Sequence, residues 1–411
     1  MGRALSATMS GTLGVKTPVQ LPIAVDFGTG SLKVLQLDAG EPPRLVAAAS
    51  EATPESCLGE PAARLEAQAA ALPRLLREGP FKGRRAVCAI PAWATQCQHV
   101  QLIRPDASTP LQALVEQAIV LSLRKDPADL VYRFLPVSAV GDKPGAKIDT
   151  LIMTVERSLV QRLMGAIAAC KLEPVGMHSE FAAMLHAFDY LHRRAGDLAC
   201  NTLYLDIGQG TTTVQISHGK DPAFTRVISL GGRSLDEAVA RQLGCDFQEA
   251  RRRRTEPHAA PPSTAMSMAE RASGKAAAAD LNAEIDRRES RPAPGLGPPL
   301  HATDALPLGP EKTDLTEPVD MLTDEVRMCL RFHAAQFPDR KVERVIFVGG
   351  ESRHTGLCQH IARALRLPAQ TADPLARIAR TGSEACLGVD LSRPQPGWTV
   401  AMGLCLGPTD L

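Results

Sequence analysis

The sequence predicts a duplicated two-domain α/β fold with a small α+β module inserted into the first domain. Three observations support this prediction. The chain has 411 residues, more than a single hydrophobic core ordinarily holds. Two glycine-rich hairpins of the same pattern, Asp26–Ser31 and Asp206–Thr211, start 180 residues apart, which is the length of a domain rather than of a short repeat. Between them, residues 85–169 follow a strand and helix pattern of their own.

The first domain opens with a hairpin. The apolar strand Leu21–Asp26 runs into a Gly-rich turn, and a second strand, Ser31–Leu37, follows at once. The Ala- and Leu-rich segment Pro61–Leu76 predicts a helix. The apolar run Arg85–Ile90 predicts a strand, which Pro91 ends.

The predicted inserted module includes this last strand and continues to residue 169. Pro110–Leu123 carries a helical apolar stripe, with Pro110 near the first turn. Lys147–Val155 has the composition of a strand. The segment Ser158–Cys170 predicts a helix with Ser158 as its N-cap.

A second domain begins with another hairpin. Its strands are predicted at Asn201–Asp206 and Thr211–Ser217, with a third at Ala223–Leu230. A helix then starts at Ser234, because Ser234 and Glu237 have the spacing of a capping box.

The composition changes sharply after residue 254. Residues 255–310 are rich in Ala, Pro, Ser and charge and contain no aromatic side chain, so they predict disorder, with a transient helix near residues 265–287. Order resumes in the helix Leu322–Phe337, the strand Arg344–Val348 and the helix Thr355–Leu365. The predicted boundaries are a disordered leader at 1–20, the first domain at 21–84 and 170–199, the module at 85–169, the second domain at 200–254 and 319–411, and a disordered insertion at 255–318.

Bulk properties exclude several classes of function. Lys and Arg number 46 and Asp and Glu 45, so the net charge of +1 gives no electrostatic footprint for nucleic acid or an anionic membrane. No stretch approaches the roughly 18 apolar residues of a membrane span, and the first 20 residues lack the apolar core of a secretory signal. The ten cysteines are scattered without a C-x-x-C pair, which favours free thiols in a reducing compartment. We therefore expect a cytoplasmic protein.

The two hairpins have the chemistry of a phosphate site. Their glycines allow backbone N–H groups to approach an anion, and hydroxyls at the second strand add donors. Lys33 is a cation placed to reach a phosphate oxygen, and Asp26 and Asp206 can orient a hydrated Mg²⁺. D-x-G-x-G is also good turn chemistry in any sheet, but two aligned copies favour a site. The predicted phosphate-binding residues are Gly28, Thr29, Gly30, Ser31, Lys33, Gly208, Gln209, Gly210, Thr211 and Thr212.

Three further features are ambiguous when taken singly. Gly231 and Gly232, like Gly349, Gly350 and Glu351, follow an apolar strand and precede a helix, where backbone amides can face a ligand; ordinary strand-to-helix turns are the alternative. Glu180 can polarise an attacking water, although a surface or capping role is the more usual one for such a glutamate. The run Arg251–Arg254 is interpreted as a solvated helix end.

In this order of motifs the chain resembles the actin, heat-shock chaperone and sugar kinase superfamily of ATPases. Within it the sequence is similar to the PilM branch, the type IV pilus assembly proteins related to the cell-division protein FtsA. The resemblance extends from about residue 21 to residue 406, apart from the Ala/Pro-rich insertion. The segments that carry it are Asp26–Lys33, Asp206–Thr213, Val345–Ser352, Ala86–Pro91, Phe224–Ile228 with Gly231–Gly232, and Thr399–Leu406.

The resemblance implies an actin-like (ribonuclease H-like) fold that binds ATP and Mg²⁺, with Asp26 and Asp206 as metal-binding and catalytic residues and Glu180 as a catalytic candidate. It implies at most a slow ATPase. The expected partner is a PilN-like inner-membrane protein, bound through its cytoplasmic N-terminal segment, and homo-oligomer formation is left open. The chain ends without the basic amphipathic helix of FtsA-type proteins, so the expected membrane contact is indirect and without insertion.

The sequence departs from this branch after the first Gly-Gly turn. The family usually has an acidic residue and a lysine there that help to hold the adenosine, whereas Gln248–Arg254 stands in this chain.

Two other functions remain open. A small-molecule kinase of the same fold needs a general base beside a second substrate site. A cytoskeletal or cell-division scaffold with a degenerate nucleotide site needs no chemistry at all.

Overall fold

The computed structural model describes residues 19–106, 108–137, 143–193, 195–255, 293, 295–300 and 313–409. Two six-stranded sheets and one three-stranded sheet form the framework. The strands are β1 (Ile23–Phe27), β2 (Ser31–Asp38), β3 (Arg44–Ala52), β4 (Arg85–Ile90), β5 (Gln96–Ile103), β6 (Leu130–Pro136), β7 (Lys147–Glu156), β8 (Glu173–Ser179), β9 (Asn201–Ile207), β10 (Thr212–His218), β11 (Asp221–Ile228), β12 (Leu296–Pro299), β13 (Arg344–Val348), β14 (Ala369–Ala372) and β15 (Cys386–Leu387).

The helices cover the faces of these sheets. The bounds are α1 (Glu55–Leu58), α2 (Pro61–Glu78), α3 (Leu111–Leu123), α4 (Arg157–Ala169), α5 (Glu180–Ala187), α6 (Gly232–Leu243), α7 (Phe247–Thr255), α8 (Thr316–Gln336), α9 (Thr355–Leu365) and α10 (Thr399–Leu406). Within the described residues, no helix is both long and apolar enough to cross a bilayer.

The two large sheets repeat one topology. The first has the order β15-β3-β2-β1-β4-β8 and the second β11-β10-β9-β13-β14-β12. In each, three antiparallel strands lead into two parallel ones: β1 pairs with β2 and β4, and β9 with β10 and β13. The duplication predicted from the hairpins therefore extends to five strands of each sheet, while the sixth strand lies at opposite edges, β15 beside β3 and β12 beside β14. We call the regions around the first and second sheets lobe 1 and lobe 2.

Apolar side chains of both large sheets meet in one central core. This core joins Ala24 of β1 and Tyr204 of β9 to Ala183 of α5 and Leu404 of α10, each at most 1% exposed. Each lobe has a further core on its outer face, and the third sheet (β5-β7-β6) has its own under α3, around Val115. Because burial of apolar area is the main stabilising term, the shared core holds the two lobes together.

Strand pairing shifts three of the predicted domain boundaries. β4 pairs with β1 and β8, so the strand at residues 85–90 belongs to lobe 1 rather than to the inserted module. Leu163 and Ile167 of α4 likewise pack in the outer core of lobe 1. The inserted module therefore extends from β5 to β7. At the other end, β15 pairs with β3 and α10 packs against α5, so the chain returns to lobe 1 after β14.

Part of the predicted disordered insertion is ordered. Residues 296–299 form the edge strand β12, antiparallel to β14, with Leu296 buried. An edge strand tolerates Pro298 and Pro299 because one side of it needs no ladder hydrogen bonds. A composition averaged over 56 residues conceals so short a strand. The predicted leader to residue 18 and the transient helix at 265–287 lie outside the described residues.

Two predicted helix caps are wrong. Helix α4 begins at Arg157 after Glu156, so Ser158 lies inside its first turn. Helix α6 begins at Gly232 after Gly231, so Ser234 is helical and no capping box forms. Helix α4 follows the end of β7 directly, and α6 follows the tight turn at Gly231. In both cases the preceding backbone fixes where the helix begins, so the serine does not act as the N-cap. All ten cysteines are free, as predicted, and four of them are buried.

Candidate functional site

The turns of the two hairpins lie against each other between the lobes. A Cβ placed on Gly30 would lie 3.1 Å from Cβ of Gln209, and one placed on Gly210 would lie 2.9 Å from Cγ2 of Thr29. Any side chain at either glycine would push the turns apart. The residues that sequence analysis paired as a duplication thus meet across the cleft, and Gly28, Thr29, Gly30, Ser31, Gly208, Gly210 and Thr211 are all partly exposed there.

The first hairpin carries a cation opposite its aspartate. Asp26 at the end of β1 is 3% exposed and faces Lys33 of β2 in the strand register. The Lys33 Nζ lies 3.4 Å from Asp26 Oδ2. Below the turn, the buried Gln68 Nε2 donates to the Gly28 carbonyl at 2.7 Å and to Thr53 Oγ1 at 2.8 Å. This amide fixes the turn from behind and leaves Lys33 facing the cleft.

The second hairpin carries an aspartate without a cation of its own. Asp206 at the end of β9 faces Thr213, the position that corresponds to Lys33. Burial raises the pKa of Asp206 to about 6, with Lys33 across the cleft lowering it and Asp26 raising it. The pKa of this carboxyl therefore lies closer to neutral pH than that of an exposed aspartate.

A third carboxyl group faces the same region. Glu180 is the first residue of α5, and the preceding Ser179 caps the helix by accepting from the Ala182 N–H. Burial raises the pKa of Glu180 well above its usual range, and the charges of Asp26 and Asp206 add to this effect. The side chain that sequence analysis left between a catalytic and a surface role therefore faces the cleft.

The late Gly-Gly turn packs on the second hairpin. β13 runs parallel to β9, and Val348 aligns with Asp206. Gly349 has φ +89°, and a Cβ there would clash with the Asp206 carboxylate and the Ile207 carbonyl, so glycine is required. At Gly350, by contrast, a Cβ would meet no atom of the described residues within 4 Å. This turn fixes Asp206 on one side and faces open space on the other.

The earlier Gly-Gly turn supports the same hairpin. The Gly232 N–H donates to the Gly208 carbonyl at 3.0 Å, and the Arg233 N–H donates to the Gln209 carbonyl at 2.8 Å. A Cβ on Gly231 would lie 2.6 Å from the Gly208 oxygen. Both predicted Gly-Gly turns thus converge on the second hairpin.

A buried ion network lies behind the second hairpin. The guanidinium of Arg254, 2% exposed, donates from Nε to Asp236 Oδ1 at 2.5 Å and from Nη1 to Glu351 Oε2 at 2.6 Å. Gln209 Nε2 donates to the other oxygen of Asp236 at 2.9 Å. We call these four residues the Arg254 network. It connects α6, α7 and the late Gly-Gly turn to the tip of the second hairpin.

Two site predictions change in detail. The interpretation of Arg251–Arg254 as a solvated helix end suits Arg252 and Arg253, which pair with Glu249, but it is wrong for Arg254. Thr212 is buried and its hydroxyl donates to the Leu230 carbonyl at 2.8 Å, which directs its hydrogen to the neighbouring strand and not to the turn. Thr211, one residue earlier, is partly exposed at the turn.

Sequence analysis missed Gln68, Asp236 and Arg254. One signal was present for Arg254, because it lies four residues after the buried Ala250 and therefore on the same face of α7. Gln68 carries the same signal, because it lies four residues before the buried Leu72 on one face of α2. The partners of Gln68 and Asp236 are distant in sequence and were not predicted.

The donor set at the hairpins fits a magnesium-bound polyphosphate. The exposed turns offer backbone N–H groups, Lys33 offers a positive charge, and the carboxyl groups of Asp26, Glu180 and Asp206 lie close enough to interact electrostatically with one another. Among the described residues, no group of three or more His, Cys, Asp or Glu side chains is close enough for a metal cluster. The aspartates at the ends of β1 and β9 suit Mg²⁺, which binds to one or two carboxylates, keeps several waters and takes other ligands from phosphate oxygens.

Comparison with protein families gives two matches. The model of the type IV pilus assembly protein PilM matches residues 24–264, more than half of the chain. The model of the cell division protein FtsA matches residues 203–395. The two matches together cover both hairpins.

Individual proteins give a consistent result. The cell division protein FtsA of Rhizobium meliloti (strain 1021) is 24% identical over 280 residues, and that of Agrobacterium fabrum (strain C58 / ATCC 33970) is 25% identical, each covering 66% of this chain and 54% of the relative. The chain thus spans about half the length of these curated relatives. A solved structure described as a PilM–PilN type IV pilus biogenesis complex matches with a TM-score of 0.64 and 21% identity, over 95% of this chain and 98% of that one. The predicted actin-like, duplicated two-domain fold is confirmed.

Proposed function

The chain belongs to the family of the type IV pilus assembly protein PilM, an actin-like ATPase family related to FtsA, and from this premise we propose a nucleotide switch. In this proposal the two hairpins bind Mg-ATP between the lobes. The bound nucleotide changes how the protein docks a PilN-like inner-membrane partner during pilus assembly. The observation that supports it most directly is the contact of two duplicated glycine turns, with Lys33 and three carboxyl groups facing one cleft.

Each part of the hairpins has a role in this proposal. The turn glycines present backbone N–H groups to phosphate oxygens, with the Ser31 and Thr211 hydroxyls beside them. Lys33 neutralises phosphate charge, while Asp26 and Asp206 orient the waters of Mg²⁺. When bound, Mg²⁺ supplies charge neutralisation on the phosphates. Closing the turns on a common ligand fixes the angle between the lobes.

Hydrolysis is proposed to be slow. Burial raises the pKa of Glu180 well above its usual range, the charges of two neighbouring aspartates add to this effect, and both favour the protonated form of the carboxyl. A protonated carboxyl cannot take a proton from water, which makes Glu180 a poor general base until a cation lowers its pKa. This favours a switch over a fast enzyme.

The inserted module offers a route from the cleft to a partner. His99 of β5 stacks on Phe224 of β11 at 4.6 Å between ring centroids, and the Thr225 N–H donates to His99 Nε2 at 3.2 Å. Strand β11 is the direct neighbour of β10 in the second hairpin. A rotation of lobe 2 therefore acts on the module through this joint.

The partner is proposed from the same premise. The solved structure that matches this chain is a PilM–PilN complex, and we propose that a PilN-like protein docks here through its cytoplasmic N-terminal segment. The protein would then lie in the cytoplasm, at the inner membrane, through that partner. Docking on the module is favoured by Val120 and Leu121 of α3, which are 48% and 73% exposed.

Calorimetry of Mg-ATP binding tests the nucleotide site. The wild type is expected to bind, and Asp26→Ala and Asp206→Ala to bind at least about tenfold more weakly because the Mg²⁺ waters lose an acceptor. Asp324→Ala, which removes an exposed carboxylate of α8, is the matched control and should bind as the wild type does. Folded wild type that binds no nucleotide would refute the proposal and leave a scaffold as the better interpretation.

A pull-down with a PilN-like N-terminal peptide, with and without Mg-ATP, tests docking. Leu121→Asp is expected to weaken capture without changing ATP affinity.

Phosphate transfer to an added small molecule would indicate the kinase alternative. Assembly of the purified protein into filaments, followed by light scattering, would indicate the scaffold and would also report homo-oligomers.

A further inference from the structure

Side chains of the protein itself fill the gap between the two Gly-Gly turns. Glu351 follows Gly349–Gly350 and is 8% exposed. Its carboxylate lies directly over Gly232, so close that a Cβ on Gly232 would overlap Glu351 Oε1. Gln209 Oε1 lies 2.9 Å from the same position. The Glu351 carboxylate and the Gln209 amide thus occupy the space next to Gly232.

One arginine holds this carboxylate in place. Arg254 Nη1 donates to Glu351 Oε2 at 2.6 Å, and Arg254 is itself fixed by Asp236, which is completely buried. A charge-assisted hydrogen bond in a region without solvent is among the stronger single contacts in a protein. The position of the Glu351 carboxylate is therefore fixed by this hydrogen bond as well as by packing.

The same pocket contains polar atoms that have no partner among the described residues. They are Gln209 Oε1, an acceptor, and Arg254 Nη2, a donor. Gln209 is 6% exposed and Arg254 2%, and both hydrogen bond to Asp236. Buried polar atoms normally have a partner, so the Gln209 acceptor and the Arg254 donor have unused hydrogen-bonding capacity. A sugar hydroxyl, which both donates and accepts, can bond to either atom.

We propose that Glu351 is a displaceable internal plug, which Arg254 holds over Gly232 between the two Gly-Gly turns, and that the nucleoside of the bound nucleotide takes this place. This inference rests on the proposed nucleotide site. A ligand that carries a nucleoside must move the Glu351 carboxylate off Gly232, whereas a bare polyphosphate binds at the hairpins and leaves the plug in place. Glu351 then lowers the affinity for ATP without lowering the affinity for phosphate chains. Ligands with a nucleoside bind only when they displace the Glu351 carboxylate.

Calorimetry with two probes tests the plug. Mg-ATP and Mg-tripolyphosphate are titrated into the full chain as wild type, Glu351→Ala and Glu351→Gln. Arg254 keeps its Asp236 partner in both variants, so the lobe is expected to stay folded, which circular dichroism checks. Glu351→Ala is expected to bind Mg-ATP about tenfold more tightly, since no charge-assisted contact has to break, and Mg-tripolyphosphate unchanged. Glu351→Gln, which keeps the shape without the charge, should fall between. Glu317→Ala on the surface of α8 is the control and should match the wild type.

The outcomes separate the plug from the site on which it rests. Tighter Mg-ATP binding with unchanged tripolyphosphate binding supports the plug. Unchanged or weaker Mg-ATP binding by Glu351→Ala overturns it but leaves the nucleotide site standing, and weaker binding would make Glu351 a direct ligand contact. If neither probe binds to any variant, the proposed function fails and the plug fails with it.

Discussion

The two hairpins share a sequence pattern but are stabilised in different ways. In the first, Asp26 faces the cation Lys33 across the strand pair, and a single neutral amide, Gln68, supports the turn. In the second, Asp206 faces Thr213, and the support comes from both Gly-Gly turns and the Arg254 network. The first hairpin carries a cation, Lys33, beside its aspartate, whereas the second carries an aspartate on which that same Lys33 acts from across the cleft.

This difference suggests that the two hairpins have different roles, the first in attracting phosphate and the second in holding a fixed position. A turn that carries a cation can attract phosphate by itself. A turn supported by the buried Arg254–Asp236 pair resists deformation and can act as the fixed side of a clamp, because removing one member of that pair leaves an uncompensated buried charge. Four predictions test this comparison, in order of decreasing expected effect.

The largest effect is expected from breaking the support of the second hairpin. Arg254→Ala leaves Asp236 and Glu351 buried without their cation and should lower the free energy of unfolding by about 3–5 kcal/mol. Arg253→Ala, one residue earlier and exposed, is the matched control and should change it by less than about 0.5 kcal/mol. Chemical denaturation measures both. Equal losses would show that the network does not support the hairpin.

Next comes the cation of the first hairpin. Lys33→Met should weaken Mg-ATP binding about 10- to 100-fold, because a charge-assisted contact to phosphate is lost. Thr213→Val alters the corresponding position of the second hairpin and should change the affinity by less than about threefold. Calorimetry distinguishes these results. Similar losses in both variants would contradict the asymmetry of the two turns.

A smaller effect is expected from the support of the first hairpin. Gln68→Ala removes the amide that donates to the Gly28 carbonyl and should lower the free energy of unfolding by about 1–2 kcal/mol, since a neutral hydrogen bond contributes less than a buried ion pair. The exposed Gln112→Ala is the control. A loss as large as that of Arg254→Ala would remove the contrast between the two supports.

The smallest effect concerns pH. The pKa of Asp206 is raised to about 6, so the folded chain binds a proton that the unfolded chain has lost, and stability without ligand falls as the pH rises through that value. Binding of a cation has the opposite dependence because it requires the ionised carboxyl. The affinity for Mg-ATP should therefore fall about fourfold between pH 7 and pH 5.5. Asp206→Asn should flatten this dependence in calorimetry, and a slope that persists in this variant would assign the titration to another group.

Local sequence determined much of the fold and half of the site. The duplicated hairpins, strand β13 and helix α9 follow from patterns within about ten residues, where turn chemistry and apolar periodicity act directly. The positions of Asp26, Lys33 and Asp206 at strand ends followed from the same patterns. So did the pairing of the two hairpins, because equal motifs a domain apart indicate a duplication.

Only the tertiary structure decided the rest. The sequence near Arg254 places it on the same face of α7 as Ala250, but it does not reveal Asp236 and Glu351 as its partners, since that depends on where α6, α7 and the late Gly-Gly turn meet. The return of β15 and α10 to lobe 1 depends on a shared core to which distant segments contribute. The physical reason is the same in both cases: local patterns set the conformation of a segment, whereas the partner of a buried charge or an apolar face is chosen by the packing of the whole chain.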